Sequence, residues 1–240
     1  MNDRPMSPLR HLHDTQVSLE KFRIALGNRV SALERGVDTA TTPVPEVYER
    51  LADNALAMEH EIDAAIASEL RRWPVYESWL RHVKGIGPSL AGQMLALLLP
   101  PIPDKGPSSW WKAAGLAPEQ RDDGSRLPRA RQGEGKITYH PWLRRCLHNV
   151  ATSFVRNRGY YRTTYDEAKA RLVALHKNDT AWPPHRLDSV ARWITIKRFT
   201  AHLWEAWCEV ESIPRRDPYV VEKLGHHYIP RPLPNGKEKI

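Results

Sequence analysis

The chain has 240 residues, enough for one large domain or two small ones with a sizeable core. An apolar content of 41% excludes a disordered chain, and no apolar run approaches the ~18 residues of a membrane span. Two isolated cysteines, Cys146 and Cys208, exclude a disulfide scaffold, and a formal net charge of +8 asks for an anionic partner.

Residues 1–13 read as a flexible N-terminus. From about 14 to 35, Leu19, Phe22, Leu26, Val30 and Leu33 recur every three or four residues until Gly36, which predicts an amphipathic helix. A linker follows over 37–45. A second helix is predicted over about 46–70, with Leu51, Ala55, Met58, Ile62, Ala65 and Ile66 on one stripe. Arg71-Arg72-Trp73-Pro74 breaks it. Two long helices with a short connection predict a helical hairpin over 14–73, and the same three-to-four spacing equally suits part of a dimer interface.

Residues 74–180 hold the predicted nucleic-acid-binding domain. Leu80–Leu99 reads LRHVKGIGPSLAGQMLALLL, the pattern of a helix-hairpin-helix. One short helix ends at Val83, Gly85-Ile86-Gly87 turns sharply, and Pro88 opens a second helix that runs to about Leu99. Free amides at that start can accept a phosphate, with Lys84 and Ser89 beside them. Pro100, Pro101 and Pro103 end the helix, and Ser108–Ala114 predicts another short one. Gly115–Lys136 is polar and glycine-rich and reads as a basic loop or short β-ribbon presenting Arg126, Arg129, Arg131 and Lys136. Pro141 opens a helix to about Arg158 with Leu143, Leu147, Val150, Ala151 and Phe154 on its buried face. His140, Arg144, Arg145, Arg156 and Arg158 are left to face a ligand. A further helix carries Tyr165, Ala168, Leu172 and Leu175 and stops near Asn178-Asp179. A separate C-terminal helix lies within 185–212, and 213–240 reads as an extended or disordered tail. The predicted fold class is mostly α: a helical bundle with a helix-hairpin-helix and a basic loop or short β-ribbon.

The charge is concentrated. Between Arg126 and Arg162 stand nine Lys or Arg and a single acid, Glu134, whereas the rest of the chain is neutral. A localised basic block points to a nucleic-acid surface more strongly than overall charge does. Catalytic candidates are weak. Asp122 and Asp123 could hold Mg²⁺ in a nuclease only if a third acid converged on them, and Asp-Asp-Gly is also strong turn chemistry. Ser125 sits among arginines that could stabilise charge on an attacked phosphodiester. His140, Cys146, His148, His226 and His227 have no recognised zinc spacing, and no resident cofactor is expected.

The order of motifs resembles a known family. VKGIGPSLAGQMLALL, then WKAAGLAP, a polar glycine loop and GKITYHPWLRRCLHNVATSF are similar to the C-terminal half of IS110/IS116/IS902 family transposases, over about Leu80–Arg158. The resemblance implies a DNA-handling module and, since family members act with a guide RNA, an RNA ligand as an alternative. It also implies two departures. The 79 residues before Leu80 are too few and too helical for the family's RuvC-like domain with its four acidic ligands. Counted from Gly115-Leu116-Ala117-Pro118, the family's nucleophilic serine position holds aspartate, in Asp122-Asp123-Gly124, and Ser125 is out of register.

These observations lead to a DNA-binding protein of transposase or recombinase origin, without strand-transfer activity. It is expected to be homo-oligomeric, cytoplasmic, nucleoid-associated and without a membrane partner. The alternatives are an active transposase, recombinase or nuclease using Asp122, Asp123 or Ser125, a structured-RNA binder, and a structural interaction protein of a mobile element or phage.

Overall fold

A computed structural model describes residues 8–36, 44–103, 105–117, 119–120, 126–127, 137–214, 225 and 232. These are mostly α-helical and divide into two compact units, Met1–Arg72 and Trp73–Ile240.

The first unit is a helical hairpin of α1 (Pro8–Glu34) and α2 (Val44–Leu70). The helices run antiparallel, because cross-contacts fall along α2 as they rise along α1. Gln16 Nε2 donates to Asp63, Arg23 Nε to Glu59 at 2.8 Å, and Arg29 lies over Tyr48. α1 starts six residues before its expected start, so residues 8–13 are not part of a loose N-terminus. Pro8 occupies the first helical position, where its missing N–H costs nothing, and Leu9 and His13 are buried. A second correction concerns the apolar stripes. Leu26, Ala55 and Ile66 are buried as expected, but Phe22 and Met58 stand 46% and 43% exposed. An apolar stripe on a helix spans more than 100°, and the seam between two helices covers only its middle.

The second unit begins with α3 (Pro74–Ser78), a 3₁₀ turn over Leu80–His82, α4 (Pro88–Leu97) and α5 (Ser108–Ala113). Next come β1 (Glu119–Gln120) and β2 (Arg126–Leu127), paired antiparallel over two residue pairs, with Glu119 opposite Leu127 and Gln120 opposite Arg126. α6 (Pro141–Arg156), α7 (Tyr160–Leu175) and α8 (Pro184–Val210) complete it. α8 is not a separate appendage. It packs on α3, α6 and α7 and buries Ile196, Phe199, Leu203, Trp204 and Trp207. Phe199 meets Phe154 at 5.0 Å and Tyr161 at 5.2 Å, edge to face, so three helices share one aromatic centre.

The segment before α4 refines one further expectation. The short helix expected to end at Val83 is divided: α3 ends at Ser78, Trp79 leaves helical geometry at φ −140°, ψ −51°, and the 3₁₀ helix over Leu80–His82 is capped at Val83. Burial of the Trp79 indole against Phe199 sets that break. Most of the expected tail, 213–240, lies outside the described residues; within it Pro232 is buried and its carbonyl accepts a hydrogen bond from Trp79 Nε1 at 3.0 Å.

Candidate nucleic-acid interface

The Lys84–Pro88 turn is built by its neighbours on α6. Gly85 has φ +96°, a left-handed conformation that L side chains rarely adopt. Its carbonyl accepts a hydrogen bond of 2.6 Å from Ser153 Oγ. Asn157 Nδ2 in turn donates to the Ser153 carbonyl at 2.8 Å and to Ser153 Oγ at 3.2 Å. Ile86 and Val83 are buried, and the Ile86 N–H closes the turn on the Val83 carbonyl. The turn is therefore pinned, and the start of α4 is held in a fixed place.

That start is open. Gly87 is the residue before α4, extended at φ −89°, ψ 172°, and it supplies no side chain to cap the helix. A side chain added there would meet nothing within 4 Å. The dipole of a helix concentrates positive potential at such a start and attracts anions. Ser89 lies exposed on the first turn. Lys84 is exposed, and its stem runs along Gly159, where an added Cβ would come within 3.1 Å of Lys84 Cβ. Gly159 precedes α7, so Lys84 crosses from the first turn to the α6–α7 connection, where Arg156 and Arg158 are exposed.

α6 extends this surface. Leu143, Cys146, Leu147, Val150, Ala151 and Phe154 are buried, while Trp142, Arg145, Asn149 and Arg156 are exposed at spacings of three, four and seven residues. Arg145 lies 5.8 Å over the Trp142 ring. No Asp or Glu occurs from Ile137 through Tyr165. Burial pushes the Cys146 thiol up to about 12, which makes it an inert packing group.

Other expected contacts have internal duties. His140 caps α6, its Nδ1 accepting from the Leu143 N–H at 3.2 Å. Arg144 donates to the Gly115 carbonyl at 2.6 Å and lies 5.2 Å from both the Tyr139 and the Trp193 ring centroids. It ties the start of the basic loop to α6 and α8. Arg126 is placed by its backbone in β2. Arg129, Arg131 and Lys136, and the catalytic candidates Asp122, Asp123 and Ser125, lie outside the described residues. Among the described residues no three His, Cys, Asp or Glu side chains gather as a metal site, and no helix is long and apolar enough to cross a membrane.

Sequence reasoning missed Ser153, Asn157 and Gly159, the residues that hold the turn. It also missed a polar network between α7 and α8. Asp188 accepts from Arg192 Nε at 2.6 Å, from Lys169 Nζ at 3.2 Å and from the Tyr165 hydroxyl, and Arg192 reaches Thr152 on α6. Burial works against its charge, but hydrogen bonds from Arg192, Tyr165 and Lys169 hold the Asp188 carboxyl at about 2. The i, i+4 spacings of Tyr165 with Lys169 and of Asp188 with Arg192 were the available signals.

Comparison with protein-family models, with curated proteins and with solved structures gives no match to this chain.

Proposed function

We propose that this chain binds nucleic acid through the sugar–phosphate backbone. The Lys84–Pro88 turn acts as a helix-hairpin-helix and seats a phosphate on the open start of α4. Lys84, Arg156 and Arg158 neutralise the flanking phosphates, Arg145 extends the track along α6, and the arginine-rich loop adds contacts. Backbone contacts of this kind set affinity without reading sequence. The resemblance to the transposase family makes DNA the first ligand to test and assigns the chain a binding role without strand transfer.

The observation that carries this reading is the pinned left-handed turn at Gly85, which presents the start of α4 beside exposed Lys84, Arg156 and Arg158. The decisive experiment is fluorescence anisotropy with duplex DNA, branched DNA and structured RNA across a salt series. DNA binding with log K falling linearly in log salt is expected, and the triple charge reversal Lys84→Glu, Arg156→Glu, Arg158→Glu should lower the slope by about three. A preference for RNA would move the ligand class. Absence of binding to all three would remove the proposal.

Self-association belongs to the same reading. Phe22, Met58 and Val47 are 46%, 43% and 38% exposed. Phe22 and Met58 face the same level of the hairpin, on the flank away from the Arg23–Glu59 pair, where a second hairpin would cover them.

A further inference from the structure

We propose that the seam between α6 and α8 is a stacking site for unpaired nucleobases, so that the ligand is a duplex carrying a single-stranded extension. The proposal rests on the backbone-binding reading above and names the form of nucleic acid it would take.

Along this seam, cations lie on aromatic rings instead of carboxylates. Lys197 Nζ sits 5.8 Å from the Trp111 centroid, and Arg144 Cζ sits 5.2 Å from Tyr139 and from Trp193. Among the described residues neither cation pairs with an acid. The nearby carboxylate, Asp188, is taken by Arg192, Lys169 and Tyr165. Trp193 and Lys197 are one turn apart on α8, so the rings and charges form a continuous strip. Interleaved cations and rings match a single strand, whose phosphates need charge and whose bases offer a flat face to stack on, and Arg144 keeps its charge while it holds the Gly115 carbonyl.

The strip has an open end. His148 is exposed on α6, with its ring 5.9 Å from Trp193 and tilted by 53°. Burial and the adjacent Arg192 and Arg144 lower its proton affinity against the smaller pull of Asp188, so the imidazole is neutral at pH 7. The exposed face of this neutral ring, tilted against Trp193, can take a base without adding repulsion or a fixed counter-ion. Arg144 and Arg156 are twelve residues apart on α6, which is about 18 Å at 1.5 Å per residue. That equals about five stacked nucleotides at 3.4 Å each. A duplex backbone at the Gly85 turn therefore leaves an unpaired tail within reach of His148.

The test measures affinity of the full chain for a blunt DNA duplex and for the same duplex with a short oligothymidine tail at either its 3′ or its 5′ ends. One tailed duplex should bind about tenfold more tightly, the size of one base–aromatic stack. His148→Ala should abolish that advantage, and His148→Phe, which keeps a flat ring, should restore it. 2-Aminopurine placed in the tail should be quenched by the wild-type chain and not by His148→Ala. Blunt duplex binding with no gain from either tail, or a gain that survives His148→Ala, overturns this proposal alone. Failure to bind any of the duplexes overturns the backbone reading with it.

Discussion

Gly85 and Gly87 look equivalent in the sequence, and the structure predicts opposite consequences for changing them. Gly85→Ala forces a side chain into φ +96°, and its Cβ would lie 3.3 Å from Ser153 Oγ, 3.4 Å from Asn157 Cβ and 3.4 Å from Phe154 Cδ1. A left-handed conformation costs an L residue about 1–2 kcal/mol, and the tight contacts push the total to about 2–3 kcal/mol. For the unit of 168 residues from Trp73, that corresponds to a fall in Tm of about 4–12 °C. Gly87→Ala differs on every count. Its φ of −89° suits any residue, and the added methyl meets nothing within 4 Å. Loss of a glycine before the helix is offset by a less flexible unfolded chain, so stability should change by less than about 0.5 kcal/mol. The same methyl does, however, stand where a phosphate would approach the α4 amides. Gly87→Ala should therefore lower nucleic-acid affinity about five- to tenfold, roughly 1–1.4 kcal/mol, without changing Tm. Thermal melts read by circular dichroism and anisotropy titrations on the same preparations separate the two effects. Equal destabilisation by both variants would refute the geometry of the turn, and wild-type affinity in a stable Gly87→Ala would refute phosphate contact at the start of α4.

The remaining predictions concern other parts of the fold. Arg144→Lys removes the flat guanidinium that bonds the Gly115 carbonyl between Tyr139 and Trp193, so it should cost about 1–2 kcal/mol in urea unfolding despite keeping the charge. Asp188 has its carboxyl lowered from 3.8 to about 2 in the folded state, so its stabilisation is full above pH 3.8 and is lost as pH falls towards 2. Comparing wild type with Asp188→Asn in acid titrations should show that difference, about 1–2 kcal/mol after allowing for solvent screening of a side chain 28% exposed. A difference that grows as pH falls would contradict the network. Phe22→Glu with Met58→Glu should shift the chain towards monomer in sedimentation velocity without unfolding α1 or α2, because both residues are exposed in the hairpin. An unchanged sedimentation coefficient would place self-association elsewhere or exclude it.

Much of the helical layout was legible from local signals. Apolar spacing marked α1, α2, α6, α7 and α8, and Pro74, Pro88 and Pro141 stand at the first positions of α3, α4 and α6. Proline and period act within a few residues, so a single sequence displays them. Boundaries such as Pro8 and Pro184 were less legible, because burial of Leu9 and Leu187 extends those helices and burial depends on distant partners. The fate of each arginine was not legible at all. Arg144 and Arg145 are neighbours in one basic run, yet Arg144 is tied to the Gly115 carbonyl and Arg145 is exposed on the outer face. One residue rotates a helix position by 100°, and only the packing of α6 on its neighbours decides which arginine faces inward. Likewise the sequence by itself determined a glycine turn followed by a proline-started helix at Gly85–Pro88. The tertiary structure decided that Ser153 would lock that turn from 68 residues away and that Trp79 would bond Pro232 from 153 residues away. Local chemistry writes the elements into the chain, whereas contacts between faces arise only when those elements meet.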